Sequence, residues 1–173
     1  MRKTSTAAKI PQDLLNLAGE FRVCSELYRR RIYAAITYGN RKSVDIYAFR
    51  DDNKRGLRIE VKTSQTSEIP TRIYQKWKNP VTAPDAPDFW VLAQIRDDGQ
   101  DRFSERFFVL THKEICEKQH TVNNKYDAKY YAKNGKHFDF SKGMDKLRVE
   151  DVEEYEGKWS KIADGVRPKG SKP

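Results

Sequence analysis

The stretch SVDIYAFRDDNKRGLRIEVKTS, Ser43 to Ser64, reads as two short strands joined by a polar turn. Side chains along a strand point alternately to its two faces. In the first run Val44, Ile46 and Ala48 take one face, and Asp45, Tyr47 and Phe49 the other. In the second, Leu57, Ile59, Val61 and Thr63 oppose Arg58, Glu60 and Lys62. The polar segment from Asp51 to Gly56 predicts a turn joining the two as an antiparallel hairpin. Paired through that turn, Asp45 comes beside Glu60 and Lys62. A plain hairpin has no use for two carboxylates and an amine on one face.

Two carboxylates at hydrogen-bonding distance repel, so such a site holds either a proton or a cation. Oxygen donors of this kind suit a hard ion, Mg²⁺ or Mn²⁺, that keeps several waters. The backbone carbonyl of Val61 is a further candidate ligand. A metal there lowers the pKa of a bound water and polarises a phosphoryl oxygen. Lys62 would orient or deprotonate that water. The duller account is a cross-strand ion pair between Asp45 and Lys62, contributing at most about 1 kcal/mol.

Around this hairpin the chain alternates helix and strand patterns. PQDLLNLAGEFRVCSELYRRR (11–31) predicts a helix whose apolar arc is Leu14, Leu17, Ala18, Phe21, Cys24, Leu27 and Tyr28, with Glu20 inside the arc. Strands are expected at 32–39, ending in a Gly39-Asn40 turn, and at 43–50, 56–64, 88–95 and 105–111. A short helix is expected around 71–79, with Ile73 and Trp77 as core, and another at 112–119. Residues 121–143 carry no assignable pattern, and 149–162 predict a final helix or helix pair. The expectation is one α/β domain over 1–173: a core of about 11–111, a helical elaboration of about 112–163, and flexible basic tails at 1–10 and 164–173.

The order of these elements and their charged residues resembles a known family. VD, fourteen residues, then EVK is similar to the PD-(D/E)XK nuclease signature, with Asp45 in its first motif and Glu60-Val61-Lys62 as the E-x-K; Val44 replaces the proline. GEFRVCSELYRRR resembles the family's first-helix segment, with Glu20 at the position of a glutamate that joins the metal site. The likeness covers about residues 18–95 and is greatest to the Holliday-junction-resolvase-like and homing-endonuclease-like branches, where a VKTS-type sequence follows the motif. It implies a restriction-endonuclease-like αβββαβ core with a central mixed sheet flanked by helices. It implies a Mg²⁺-dependent endonuclease in which Glu20, Asp45, Glu60 and Lys62 are catalytic. Asp45, Glu60, the Val61 carbonyl and Glu20, directly or through water, would hold the metal. The family also contains members that bind nucleic acid without cutting it. Glu20 has a plainer account as a residue snorkelling at the edge of its helix.

Composition bears on the partner. The chain has a formal net charge of +9 at pH 7, which favours a polyanion. Arg29, Arg30, Arg31, Arg41, Lys42, Arg72 and Lys76 flank the expected site and are candidates to neutralise phosphates, with Ser64 and Gln65 as polar contacts. Turn chemistry explains Ser64 and Gln65 equally well. His112, His120 and His137 share no ligand spacing and are expected at the surface or at helix ends. Cys24 and Cys116 lack any zinc-ligand pattern, which suits a reducing, cytoplasmic setting. No segment reads as a secretory signal or membrane span. The expected partner is nucleic acid, DNA before RNA. The sequence leaves the oligomeric state open, although a nuclease that cuts both strands with one site per chain often pairs as a homodimer.

Overall fold

Alternation along the strands, and one close helix approach, set the architecture. The computed structural model describes residues 9–37, 44–50, 53–99, 102–143 and 145–166. Helix α1 (Gln12–Arg29) is followed by strands β1 (Tyr33–Ile36), β2 (Ile46–Arg50) and β3 (Asn53–Ser64). A crossover holding β4 (Glu68–Pro70) and the short α2 (Ile73–Lys76) leads to β5 (Phe89–Gly99) and β6 (Arg102–Thr111). Then come α3 (His112–Asn134), β7 (Lys146–Arg148), two single 3₁₀ turns and α4 (Ser160–Gly165).

The main sheet has five strands in the order β1-β2-β3-β5-β6. Its one parallel pair is β3 with β5, and the other neighbours are antiparallel. A small second sheet pairs β4 with β7. The expected mixed sheet flanked by helices is therefore present. One face packs Val23, Leu27, Ile46, Ile59, Val61 and Val91 with Trp159, Ile162 and Val166. The other packs Trp90, Leu92, Phe108 and Leu110 with Ile69, Ile73, Trp77, Ile115 and Leu147. Ile73 and Trp77 are core, as their spacing predicts.

Several expectations are corrected. Helix α1 turns inward with Leu15, Gly19, Val23 and Leu27, flanked by Glu20, Cys24 and Glu26. Leu14, Leu17, Phe21 and Tyr28 of the expected arc point outward, at 55%, 40%, 53% and 54% exposure. The helix is apolar on two sides, and the face that packs is the one carrying glycine. A Cβ on Gly19 would lie 1.9 Å from Thr63 Oγ1, so only glycine lets α1 approach β3 this closely. Strand β3 begins earlier than expected, at Asn53, which pairs with Arg50. Helix α3 continues through the unassigned stretch to Asn134, and the expected C-terminal helix is mostly 3₁₀ turns, with α4 only at its end. Nor is the C-terminal segment loose up to Val166, which is buried in the first core. At the other end, Ile10 exchanges two hydrogen bonds with the Gln65 side chain. The expected turn at Gly39-Asn40 and the rest of both tails lie outside the described residues.

Candidate active site

Register brings the acidic residues together. Ile46 pairs with Ile59 and Tyr47 with Arg58, so Asp45, just before β2, comes opposite Glu60. The backbone closes this pairing, as Asp45 N–H donates to Ile59 O at 3.1 Å and Val61 N–H donates to Asp45 Oδ2 at 2.8 Å. Asp45 and Glu60 are both buried. In the parallel pair Glu60 aligns with Trp90 and Lys62 with Leu92, which places both charged residues on the Trp90 side of the sheet. Lys62 Nζ lies 5.9 Å from the Trp90 ring centroid and donates to Glu60 Oε1 at 2.6 Å. That pairing satisfies a buried carboxylate that would otherwise be costly.

A cleft of about 320 Å³ opens over these groups. Asp45, Glu60, Val61 and Lys62 form its floor, α1 supplies Gln12, Asn16 and Glu20, and the segment before and within α2 supplies Arg72 and Lys76. Gln12, Asn16 and Glu20 fall at i, i+4 and i+8 and so share one helix edge. That polar row is the sequence signal for Gln12 and Asn16, which the motif alone misses. Glu20 is buried beside Cys24, whose thiol is pushed up to about 11 by burial first and by the charge of Glu20 second. Thr63 also lines the cleft, and its buried Oγ1 has no hydrogen-bond partner among the described residues.

The opposite wall is held in an unusual backbone state. Arg72 adopts a left-handed conformation, φ 57° and ψ 27°, at the head of α2. For a residue with a Cβ this costs about 1–2 kcal/mol, and neighbouring contacts must impose it. Here Asp145 imposes it. Its carbonyl accepts from Thr71 N–H at 2.9 Å and Arg72 N–H at 3.4 Å, and its Oδ2 accepts from Tyr74 N–H at 2.6 Å. Asp145 is itself held by Asn123 of α3 at 3.1 Å, Asn123 by Gln119 at 2.8 Å, and Gln119 by Thr71 at 2.6 Å. This buried chain aims Arg72 and Lys76 at the cleft, and Lys76 Nζ reaches 4.0 Å from Glu60 Oε2.

The remaining expected residues lie elsewhere or have other partners. Arg29 and Arg30 both pair with Glu26, and Arg30 also lies over Trp159, at the end of α1 away from the cleft. Arg31 borders a separate hollow with Tyr28, Ile32 and Tyr33. Ser64 Oγ donates to Glu68 O, and Gln65 ties down Ile10, so both organise the turn after β3. Arg41 and Lys42 lie outside the described residues. Of the histidines, His112 lies at a helix end as expected, starting α3, and its ring is held: Nδ1 accepts from Trp90 Nε1 at 3.0 Å, leaving Nε2–H to donate to Pro80 O at 2.7 Å.

The donors at Asp45 and Glu60 fit a hard divalent cation that keeps most of its water. Among the described residues no three His, Cys, Asp or Glu side chains form a ready-made metal cluster, so Glu20 shares the cleft without completing one. No helix among them is long and apolar enough to cross a membrane.

No protein-family model matches the chain, and no curated protein matches it by sequence. Among solved structures it is similar to a bacterial homing endonuclease, I-Ssp6803I, at 13% sequence identity and a TM-score of 0.51. The alignment covers 91% of this chain and 95% of that one. At this identity the likeness is one of fold, and it spans the C-terminal elements as well as the hairpin.

Proposed function

We propose that the chain is a Mg²⁺-dependent nuclease of the PD-(D/E)XK type that hydrolyses phosphodiester bonds in DNA. The observation that supports this most is the pairing of Asp45 opposite Glu60, with Lys62 beside them, on the floor of a cleft walled by Arg72 and Lys76. In this reading Asp45, Glu60 and the Val61 carbonyl hold the cation, and Glu20 orients water at its edge. Bound there, magnesium would supply Lewis-acid polarisation of the phosphate and acidify a water. Val61 N–H fixes the Asp45 carboxylate so that its other oxygen is oriented before substrate arrives. Lys62 leaves Glu60 to orient the attacking water or, as the neutral amine once its own proton has passed to solvent, to accept a proton from it. Arg72 and Lys76 take the charge of the bound phosphate, with Arg72 suited to a two-point contact.

The test is cleavage of plasmid and branched DNA with Mg²⁺. Asp45→Asn and Lys62→Ala are each expected to lose at least about 10²–10³-fold in rate, with circular dichroism showing each variant folded at the assay temperature. Equal cutting by wild type and both variants would refute the assignment.

One observation favours a second reading, a nucleic-acid-binding module that keeps the fold: the Glu60 carboxylate is already engaged by Lys62. Such a module would take up no Mn²⁺ at the cleft in a calorimetric titration, whereas the nuclease would.

A further inference from the structure

Helix α3 is longer than the domain needs. Its last buried residue is Asn123, yet it runs on to Asn134, an extension of about 16 Å. Among the described residues, neither main core includes a residue of that extension. The chain caps the helix at Gly135, φ 67°, and folds back along it. Asp127 fastens the return, accepting from Phe138 N–H at 2.7 Å and pairing with His137 Nδ1 at 2.7 Å. Tyr126, Tyr130, Phe138 and Phe140 then form a miniature core of their own, with ring centroids 4.9–6.2 Å apart. Gly143 closes it, since a Cβ there would lie 2.5 Å from the Phe138 ring.

What this arm presents is charge. Residues 124–143 carry Lys125, Lys129, Lys133, Lys136 and Lys142 against Asp127 and Asp139, five minus two, or +3. Lys125, Lys129 and Lys133 fall at i, i+4 and i+8, in a row with a spacing of about 6 Å. Among the described residues Lys142 alone of the five has an acidic partner, Asp139. Like charges at this spacing destabilise a helix slightly, and an anion bound along the row would relieve that repulsion. The arm also joins the cleft wall. Gln75 of α2 hydrogen-bonds to the Gly143 carbonyl, Tyr74 OH meets His120 Nδ1 at 3.4 Å, and the Asp145 network links α3 to Arg72.

We propose that this arm is a docking element for duplex DNA, extending a basic track from Arg72 and Lys76 along the lysine row. The proposal rests on the nuclease reading of the cleft for the identity of its polyanion. Tyr126 and Tyr131 stay half exposed, but Phe138 and Phe140 pack against one another and against Tyr126. Five lysines outnumber the open rings, so the arm offers cations to a duplex backbone more than stacking faces to single-stranded bases. Its contribution is affinity and positioning, not chemistry.

The experiment compares the full chain with a Lys125→Ala, Lys129→Ala, Lys133→Ala, Lys136→Ala variant. Binding of a fluorescent duplex of about three helical turns is followed between about 50 and 200 mM NaCl with Mg²⁺ omitted. The variant is expected to lose about 10–100-fold in affinity, and its salt slope to fall by about 2–4. The matching Lys→Arg variant should keep both, and circular dichroism should show the helix intact in each. Single-turnover cleavage at saturating protein should stay within about threefold of wild type, a marker that chemistry is untouched. An unchanged slope and affinity in the alanine variant would overturn the proposal. So would a loss seen with single-stranded DNA or RNA and not with duplex, or a change in oligomeric state that accounts for the loss. A wild type that binds duplex through these lysines but never cuts would sink the nuclease reading and leave the arm standing. Cleavage with an unaltered slope would do the reverse.

Discussion

Gly19 and Thr63 show how one contact sets the site. The glycine brings α1 against β3, and that approach carries Gln12, Asn16 and Glu20 to the cleft edge. A methyl at position 19 would collide with Thr63 Oγ1 at 1.9 Å and with Thr63 Cβ at 3.0 Å. Gly19→Ala is therefore expected to cost about 1–3 kcal/mol by urea denaturation. Thr63→Ala in the same chain should recover part of that loss, because it removes the atom in the way. Independent, additive effects of the two substitutions would contradict the contact. The juxtaposition of Asp45, Glu60 and Lys62 was legible in the sequence, since alternation along two paired strands puts the three on one face. Arg72 was legible only as a charge. Its left-handed backbone and the Asp145 carbonyl that holds it come from residues 73 positions apart, and no local pattern encodes them.

At the scale of elements, α1 was recognised as a helix but its buried face was not. Leu14, Leu17, Phe21 and Tyr28 form the stronger apolar pattern, yet the inward face is Leu15, Gly19, Val23 and Leu27. A periodicity count rewards bulky side chains and gives no weight to the glycine that makes close packing possible. Val23→Ala should accordingly cost about 1–3 kcal/mol, while Phe21→Ser should stay within about 0.5 kcal/mol, each read from urea midpoints. The reverse order would restore the sequence-based face. Helix α3 was legible at its start, where Thr111 and Glu114 form a capping box with both hydrogen bonds made. Its far end was not, because Lys, Asn and Tyr repeat there without an apolar stripe. The stabilising contacts come instead from Phe138 and Phe140, across a turn.

For the molecule as a whole, the C-terminal elements close the fold over both faces of the sheet, and one ion pair joins α3 to α4. Burial opposes ionisation of Glu114, but Lys161 at 2.6 Å and the N–H and hydroxyl of Thr111 outweigh it, so the carboxyl sits below the usual range. A lowered folded-state pKa gives stability that is complete above the unfolded value, about 4.3, and is lost as pH falls through the folded one. Lys161→Met should therefore differ most from wild type in urea midpoint near neutral pH, with the gap narrowing below about pH 4. Parallel curves would contradict this linkage. The fold order was legible because strand and helix periods differ along the chain; the joining of the cleft wall to α3 was not, because it depends on the buried polar chain from Thr71 to Asp145. The proposed chemistry requires Asp45 and Glu60 to share a divalent ion. A crystal soaked in Mn²⁺ tests it most directly, with anomalous scattering measured beside β2 and β3. A peak is expected about 2.1 Å from a carboxylate oxygen of each residue and absent in Asp45→Asn; a soaked wild-type crystal with no peak there, or an undiminished peak in the variant, would refute the shared ion.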